Sequence, residues 1–87
     1  MARFEILTGD NAPLGGSLDG DTLYRLGMMF ADAATPAGRM EAHKWFNIAA
    51  MRSNDEAARL RREIAAEMAP EEIATAQRAA REWLTLH

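Results

Sequence analysis

Two stretches restrict the fold of this chain more than anything else in it. They are Leu23-Tyr-Arg-Leu-Gly27 with Phe30, and Glu41-Ala-His-Lys-Trp-Phe-Asn-Ile-Ala-Ala50. In the first, Leu23, Leu26, Gly27 and Phe30 recur at i, i+3, i+4 and i+7, the spacing of one face of an α-helix. In the second, Ala42, Trp45, Phe46 and Ala49 form such a stripe. Ala50 widens it on one side, while Met40, Ile48 and Met51 fall well away from it. A glycine inside a helix costs about 1 kcal/mol relative to alanine. Placing Gly27 on the apolar face therefore predicts that a second helix comes close there. Apolar residues on several sides of the second helix predict that it lies between neighbours.

Turn and capping signals divide the chain into four helices. The first is expected from about Asp21 to Asp32, capped by Asp19 or Asp21. The second starts after Thr35-Pro36, a cap followed by proline at the first helical position, and runs to about Arg52. Ser53-Asn54 breaks the chain and caps a third helix over Asp55 to Met68, with Ala57, Leu60, Ile64 and Met68 on one face. Pro70 opens a fourth. Glu71 and Glu72 suit its N-terminal dipole, and Ile73, Ala76, Ala80, Trp83 and Leu84 form its stripe. Such short connections place sequential helices antiparallel. Residues 1–20 differ. Gly9 to Gly20 is rich in turn residues, and Phe4, Ile6 and Leu7 make a short apolar cluster before it. This arm either docks through those residues or stays mobile.

With 87 residues the chain suffices for one small domain. It has no cysteine, which excludes a disulfide framework and a thiolate metal site. The formal charge is −3, from 10 basic and 13 acidic residues, and gives no footing for nucleic acid or an anionic membrane. Glu5 interrupts any apolar leader near the first residue, and no apolar run reaches the roughly 18 residues of a membrane span. A soluble cytoplasmic protein is the expectation.

Groups that could carry chemistry are few. His43 and His87 are the only histidines, and His43 has no second ligand at i+4, so a solvated or half-buried helix residue is expected rather than a metal ligand. Ser17 and Ser53 lie in turns. Gly15 to Gly20 lacks the lysine of a phosphate loop, and Asp19-Gly20-Asp21 does not continue into a calcium loop. No catalytic residue, cofactor or metal is expected. Asp55, Arg59 and Glu63 form i, i+4 pairs, as do Arg78 and Glu82, and read as solvated faces. The basic group Arg59, Arg61 and Arg62 is offset by Asp55, Glu56 and Glu63.

Thr22 and Ala57, each opening a helix after a polar cap, stand 35 residues apart. A two-helix unit of that period marks a helical solenoid. Leu26-Gly27-Met-Met-Phe30, then Glu41-Ala42-x-x-Trp45-Phe46-x-x-Ala49-Ala50, resembles the Sel-one-like repeat, a relative of the tetratricopeptide repeat. Leu26, Gly27, Ala42, Trp45, Ala49 and Ala50 match its pattern, and Phe30 replaces a tyrosine. The departures are Thr22 at the first alanine, Glu41 at the lysine, Gly38 where an aspartate is usual, and Ser53 at the closing glycine. The resemblance is good over residues 22–57 and weak beyond. There Arg61-Arg62 hold the second Leu-Gly position, and the tail is similar to the end of small bacterial proteins of this type.

The resemblance implies an all-α protein: two antiparallel helical hairpins in a right-handed, tetratricopeptide-like solenoid over residues 21–87, preceded by an irregular arm over 1–20. It implies a non-enzymatic adaptor or scaffold, with Leu26, Gly27, Phe30, Ala42, Trp45, Ala49 and Ala50 as packing residues. The first helix of such a unit lines the concave face, which nominates Tyr24, Arg25, Met28, Met29 and Asp32 for partner contact. The alternative for Tyr24 and Met28 is packing against the third helix or the arm. The partner is another protein, a larger complex or a second copy of the chain, with no nucleic acid and no membrane insertion. A second reading is a small accessory or assembly subunit held permanently in a larger multi-subunit complex, membrane complexes included.

Overall fold

A computed structural model of the chain describes residues 18–86. The expectations for residues 1–17, including Phe4, Ile6 and Leu7, and for His87 lie outside the described residues. What is described is all-helical: α1 (Gly20–Ala31), α2 (Pro36–Met51), α3 (Asp55–Ala65) and α4 (Pro70–Leu86).

The caps explain the boundaries. Asp19, rather than Asp21, caps α1: its carboxylate accepts from the Thr22 amide at 2.8 Å, which holds that carboxyl below its ordinary pKa. Thr35 accepts from the Gly38 amide at 3.0 Å, with Pro36 opening α2. Asn54 accepts from the Ala57 amide at 2.8 Å, and its side-chain N–H donates to Asp21 at 3.0 Å, tying the starts of α1 and α3 together. Glu72 accepts from the Ala69 amide at 2.9 Å at the head of α4. The third helix is shorter than its periodicity predicts, ending at Ala65 instead of Met68. Glu67 and Met68 donate to Ile64 and Ala65, three residues back, so the chain tightens into turns. Pro70 then disfavours a helical Ala69. Met68 is nonetheless buried.

Helix α2 packs on each of the other three. Its contacts with α1 run in opposite sequence order. Gly20 meets the Arg52 carbonyl, Gly27 meets the Phe46 ring, and the Phe30 carbonyl meets Gly38. A Cβ on Gly27 would lie 2.5 Å from two ring carbons of Phe46. The close approach predicted from Gly27 is therefore present, and its partner is an aromatic ring. Leu23, Ala42, Phe46, Ile48, Ala49, Ala57 and Ala80 make the core.

Ile48, off the main stripe, is fully buried, as expected of a helix that lies between neighbours. One expectation about α2 needs correction: His43, read as solvated or half-buried, is only 2 % exposed. Enclosure of α2 on several sides widens its buried arc beyond a single face. Among the motif residues, Ala42, Ala49 and Gly27 are buried, Leu26, Trp45 and Ala50 are half-buried, and Phe30 reaches the surface. On the flank toward α4, the Trp45 and Trp83 rings meet edge to face at 5.5 Å. Trp45 Nε1 donates to Glu41 at 3.1 Å.

Ser53 has φ 75°, in the left-handed region, and Ala34 has φ 54°. A non-glycine residue there costs on the order of 1 kcal/mol. Ser53→Gly should raise stability by about 1 kcal/mol in urea unfolding.

Gly27→Ala should do the reverse despite its better helix propensity. Overpacking against the enclosed Phe46 ring should outweigh the propensity gain and destabilise by roughly 1–2 kcal/mol. Adding Phe46→Leu should make the Gly27→Ala change nearly neutral. A Gly27→Ala chain as stable as the parent would show that the ring yields freely.

Candidate interaction surface

The polar groups of α2 and α3 mostly answer one another. The Arg61 guanidinium donates to the Asn47 side chain at 2.6 Å, joining the two helices. Arg59 pairs with Glu56 and Glu63, and not with Asp55 as its spacing had suggested. Its guanidinium lowers the Glu56 pKa by hydrogen bonding, and the pair is solvent-exposed. Arg78 donates to Thr75 at 3.4 Å rather than pairing with Glu82. The basic group of α3 is thus dispersed: Arg59 into ion pairs, Arg61 into an interhelical bond, and Arg62 onto the surface. At the other end of α2, Arg52 donates to the Leu18 carbonyl at 2.6 Å and lies 5.4 Å from the Trp83 ring.

The residues nominated on α1 separate into two lines. Arg25, Met29 and Asp32, at i, i+4 and i+7, are all exposed, Met29 at 68 %. Tyr24 and Met28 lie on the adjoining line. Tyr24 is half-buried, and its ring is 6.2 Å from that of Phe46, so it belongs partly to the α1–α2 packing. Met28 is 40 % exposed and lines a cleft of about 300 Å³.

That cleft was not foreseen. Met28, Ala31 and Ala34 bound it on the α1 side, Arg39 and Phe46 on α2, and Leu60, Glu63, Ile64 and Glu67 on the α3 side. Phe46, whose ring packs on Gly27, is among its lining residues. Arg39 is its most unusual member. The Nε atom is closed off from solvent and has no hydrogen-bond partner, a state that costs about 1–3 kcal/mol for a buried donor. One sequence signal pointed there. Arg39 is a cation in the first turns of a helix, next to the positive end of the dipole, and no acidic residue occupies the first turn of α2.

His43 is a buried polar side chain, and its Nδ1 also has no hydrogen-bond partner. Burial, and then the Arg61 charge, lower its pKa below the ordinary imidazole value. Among the described residues, no group of three His, Asp or Glu side chains could hold a metal ion, and no helix is long and apolar enough to cross a membrane. Comparisons with protein-family models, curated proteins and solved structures find no match to this chain.

The His43 environment gives a signed pH dependence. The fold disfavours the imidazolium, whereas the unfolded chain takes up the proton near pH 6.5. This contribution to stability is constant above about pH 7. It is lost as pH falls below the unfolded value, at up to about 1.4 kcal/mol per pH unit, until the lowered folded pKa is passed. Thermal melts between pH 7.5 and pH 5.5 should show that fall. A His43→Leu chain should lack most of it, and equal slopes in the two chains would remove His43 as the cause.

Proposed function

We propose that this chain is a non-enzymatic protein-interaction module, built as two antiparallel helical hairpins of the Sel-one-like, tetratricopeptide-related type. The observation that carries the reading is the apolar end of α1. Met28, Met29 and Phe30 are all exposed there, beside a cleft whose walls are mostly apolar. Methionine side chains adapt to irregular partner surfaces, and a rimmed apolar patch is a common docking feature.

The architecture supports the same reading. The α1–α2 contacts run in opposite sequence order, as those of a hairpin would, and Gly27 and Ala49 are buried as packing residues of the resembled repeat would be. Ser53 stands at the position that the repeat closes with glycine, and its backbone is left-handed. The polar side chains serve caps, ion pairs and contacts between helices, which suits a holding role. Tyr24 contributes mainly through the Phe46 ring beneath it, so Met28 and Met29 are the better probes of partner contact.

Met28→Asp with Met29→Asp tests this without opening the core. Each methionine buried at an interface contributes on the order of 1–2 kcal/mol. Quantitative affinity capture from the source cells should therefore show a partner reduced 10-fold or more by the double substitution, with the helical circular dichroism and melting point kept. Undiminished recovery of the same partner would remove this face from the interaction.

A further inference from the structure

We propose that the exposed face of α1 is the contact surface for a second copy of this chain. Two α1 helices pack antiparallel about a two-fold axis, with Met28 and Met29 at the axis and Arg25 of each copy paired with Asp32 of the other. This deepens the interaction reading: it rests on Met28 and Met29 forming a contact face, and it names their partner.

Arg25 and Asp32 stand two turns apart on one line of α1, and both are exposed. Met28 and Met29 flank that line, roughly 50° to either side at about 100° per residue, and are 40 % and 68 % exposed. The opposite side of α1 carries Leu23 and Gly27 into the core and against α2. The two charges on the outer line have no answer in the helix itself. Asp21, one turn before Arg25, accepts from the Asn54 side chain at 3.0 Å. Arg25 acts on Asp19 through its charge alone. Among the described residues, neither the Arg25 nor the Asp32 side chain forms a hydrogen bond or an ion pair.

This pattern is its own complement. Reversing the helix about a point midway between Met28 and Met29 carries position 25 onto position 32 and position 28 onto position 29. A two-fold axis at that point therefore sets cation opposite anion at both ends and methionine opposite methionine between them. Such self-complementarity is what a closed, isologous dimer requires. A parallel pairing would instead set Arg25 against Arg25 and Asp32 against Asp32. Methionine side chains adapt to each other across such a seam. An unrelated partner must bring the reversed charge pattern, whereas a second copy has it by construction. The stripe covers only about two helical turns, far less than the roughly 800 Å² that each partner of a standard complex buries. The dimer is accordingly weak and dissociates on dilution.

The test uses the full chain. Diluting it from about 1 mM, where even a weak complex is populated, should shift the amide signals of Arg25, Met28, Met29 and Asp32, and sedimentation should show a monomer–dimer equilibrium. Arg25→Glu alone and Asp32→Arg alone should each weaken association about 10-fold or more, because each sets like charges opposite one another at both ends. Mixing the two variants should restore it, since both ends then pair opposite charges again. A chain carrying both changes should also associate. Both positions are exposed, so helical circular dichroism and melting point should be kept. A chain that stays monomeric at about 1 mM overturns the proposal. So do dilution shifts confined to other helices, single variants that associate undiminished, or a loss that neither mixing nor combining the changes restores. If the dimer fails while Met28→Asp with Met29→Asp still loses a captured partner, the interaction reading stands and only the second copy falls as its occupant.

Discussion

The contact of the Phe46 ring with the bare backbone of Gly27 is the constraint on which the rest of the structure depends. It sets how closely α1 and α2 approach, since any Cβ at Gly27 would fall inside the ring's contact distance. The same ring is nearly inaccessible to solvent, lies against Tyr24 and forms part of the cleft. Core packing and the candidate surface are therefore two sides of one side chain. Because interiors are close-packed, a change that moves this ring cannot stay local. The depth of the cleft and the tilt of α1 should respond together.

Helix α2 meets its three neighbours by different means. Toward α1 the contact is aromatic ring on glycine. Toward α3 it includes the Arg61–Asn47 hydrogen bond, with His43 one turn earlier on the same flank. Toward α4 it includes the edge-to-face pair of Trp45 and Trp83. Neither the second nor the third contact is a ring against bare backbone: Arg61 reaches back from α3 to Asn47, and edge-to-face aromatic pairs such as Trp45 and Trp83 add about 0.5–1.5 kcal/mol beyond their burial.

Much of the fold was legible because its signals are local. Asp19, Thr35 and Asn54 accept amide hydrogen bonds from three residues ahead, and Pro36 and Pro70 fix helix starts through their own φ. Gly27 announced a close approach through its position on an apolar face. What stayed hidden depended on the neighbours of α2. The apolar residues off the main stripe, Ile48 among them, did signal a helix between neighbours, but the polar His43 carried no such signal, because its burial comes from beside that stripe. Arg59 offered Asp55, Glu56 and Glu63 as partners, and spacing alone could not rank Glu56 over Asp55. Of the nominated α1 residues, Arg25, Met29 and Asp32 are exposed. Tyr24 is shared with the core, and the cleft needed α3 to be in position before it existed.

Arg39 shows where local and tertiary requirements diverge. As a helix residue it is badly placed, a cation near the positive end of the α2 dipole. As a packed residue it is also poorly served, with Nε enclosed and unpartnered. Chains usually agree with themselves across levels, and departures concentrate at sites that act. The neighbouring carboxylates could have relieved the strain. Glu63 is instead engaged by Arg59, on its own helix. A guanidinium held at such cost, beside an apolar cleft and exposed methionines, marks the junction of α1 and α2 as the place where the needs of the four helices are least well met.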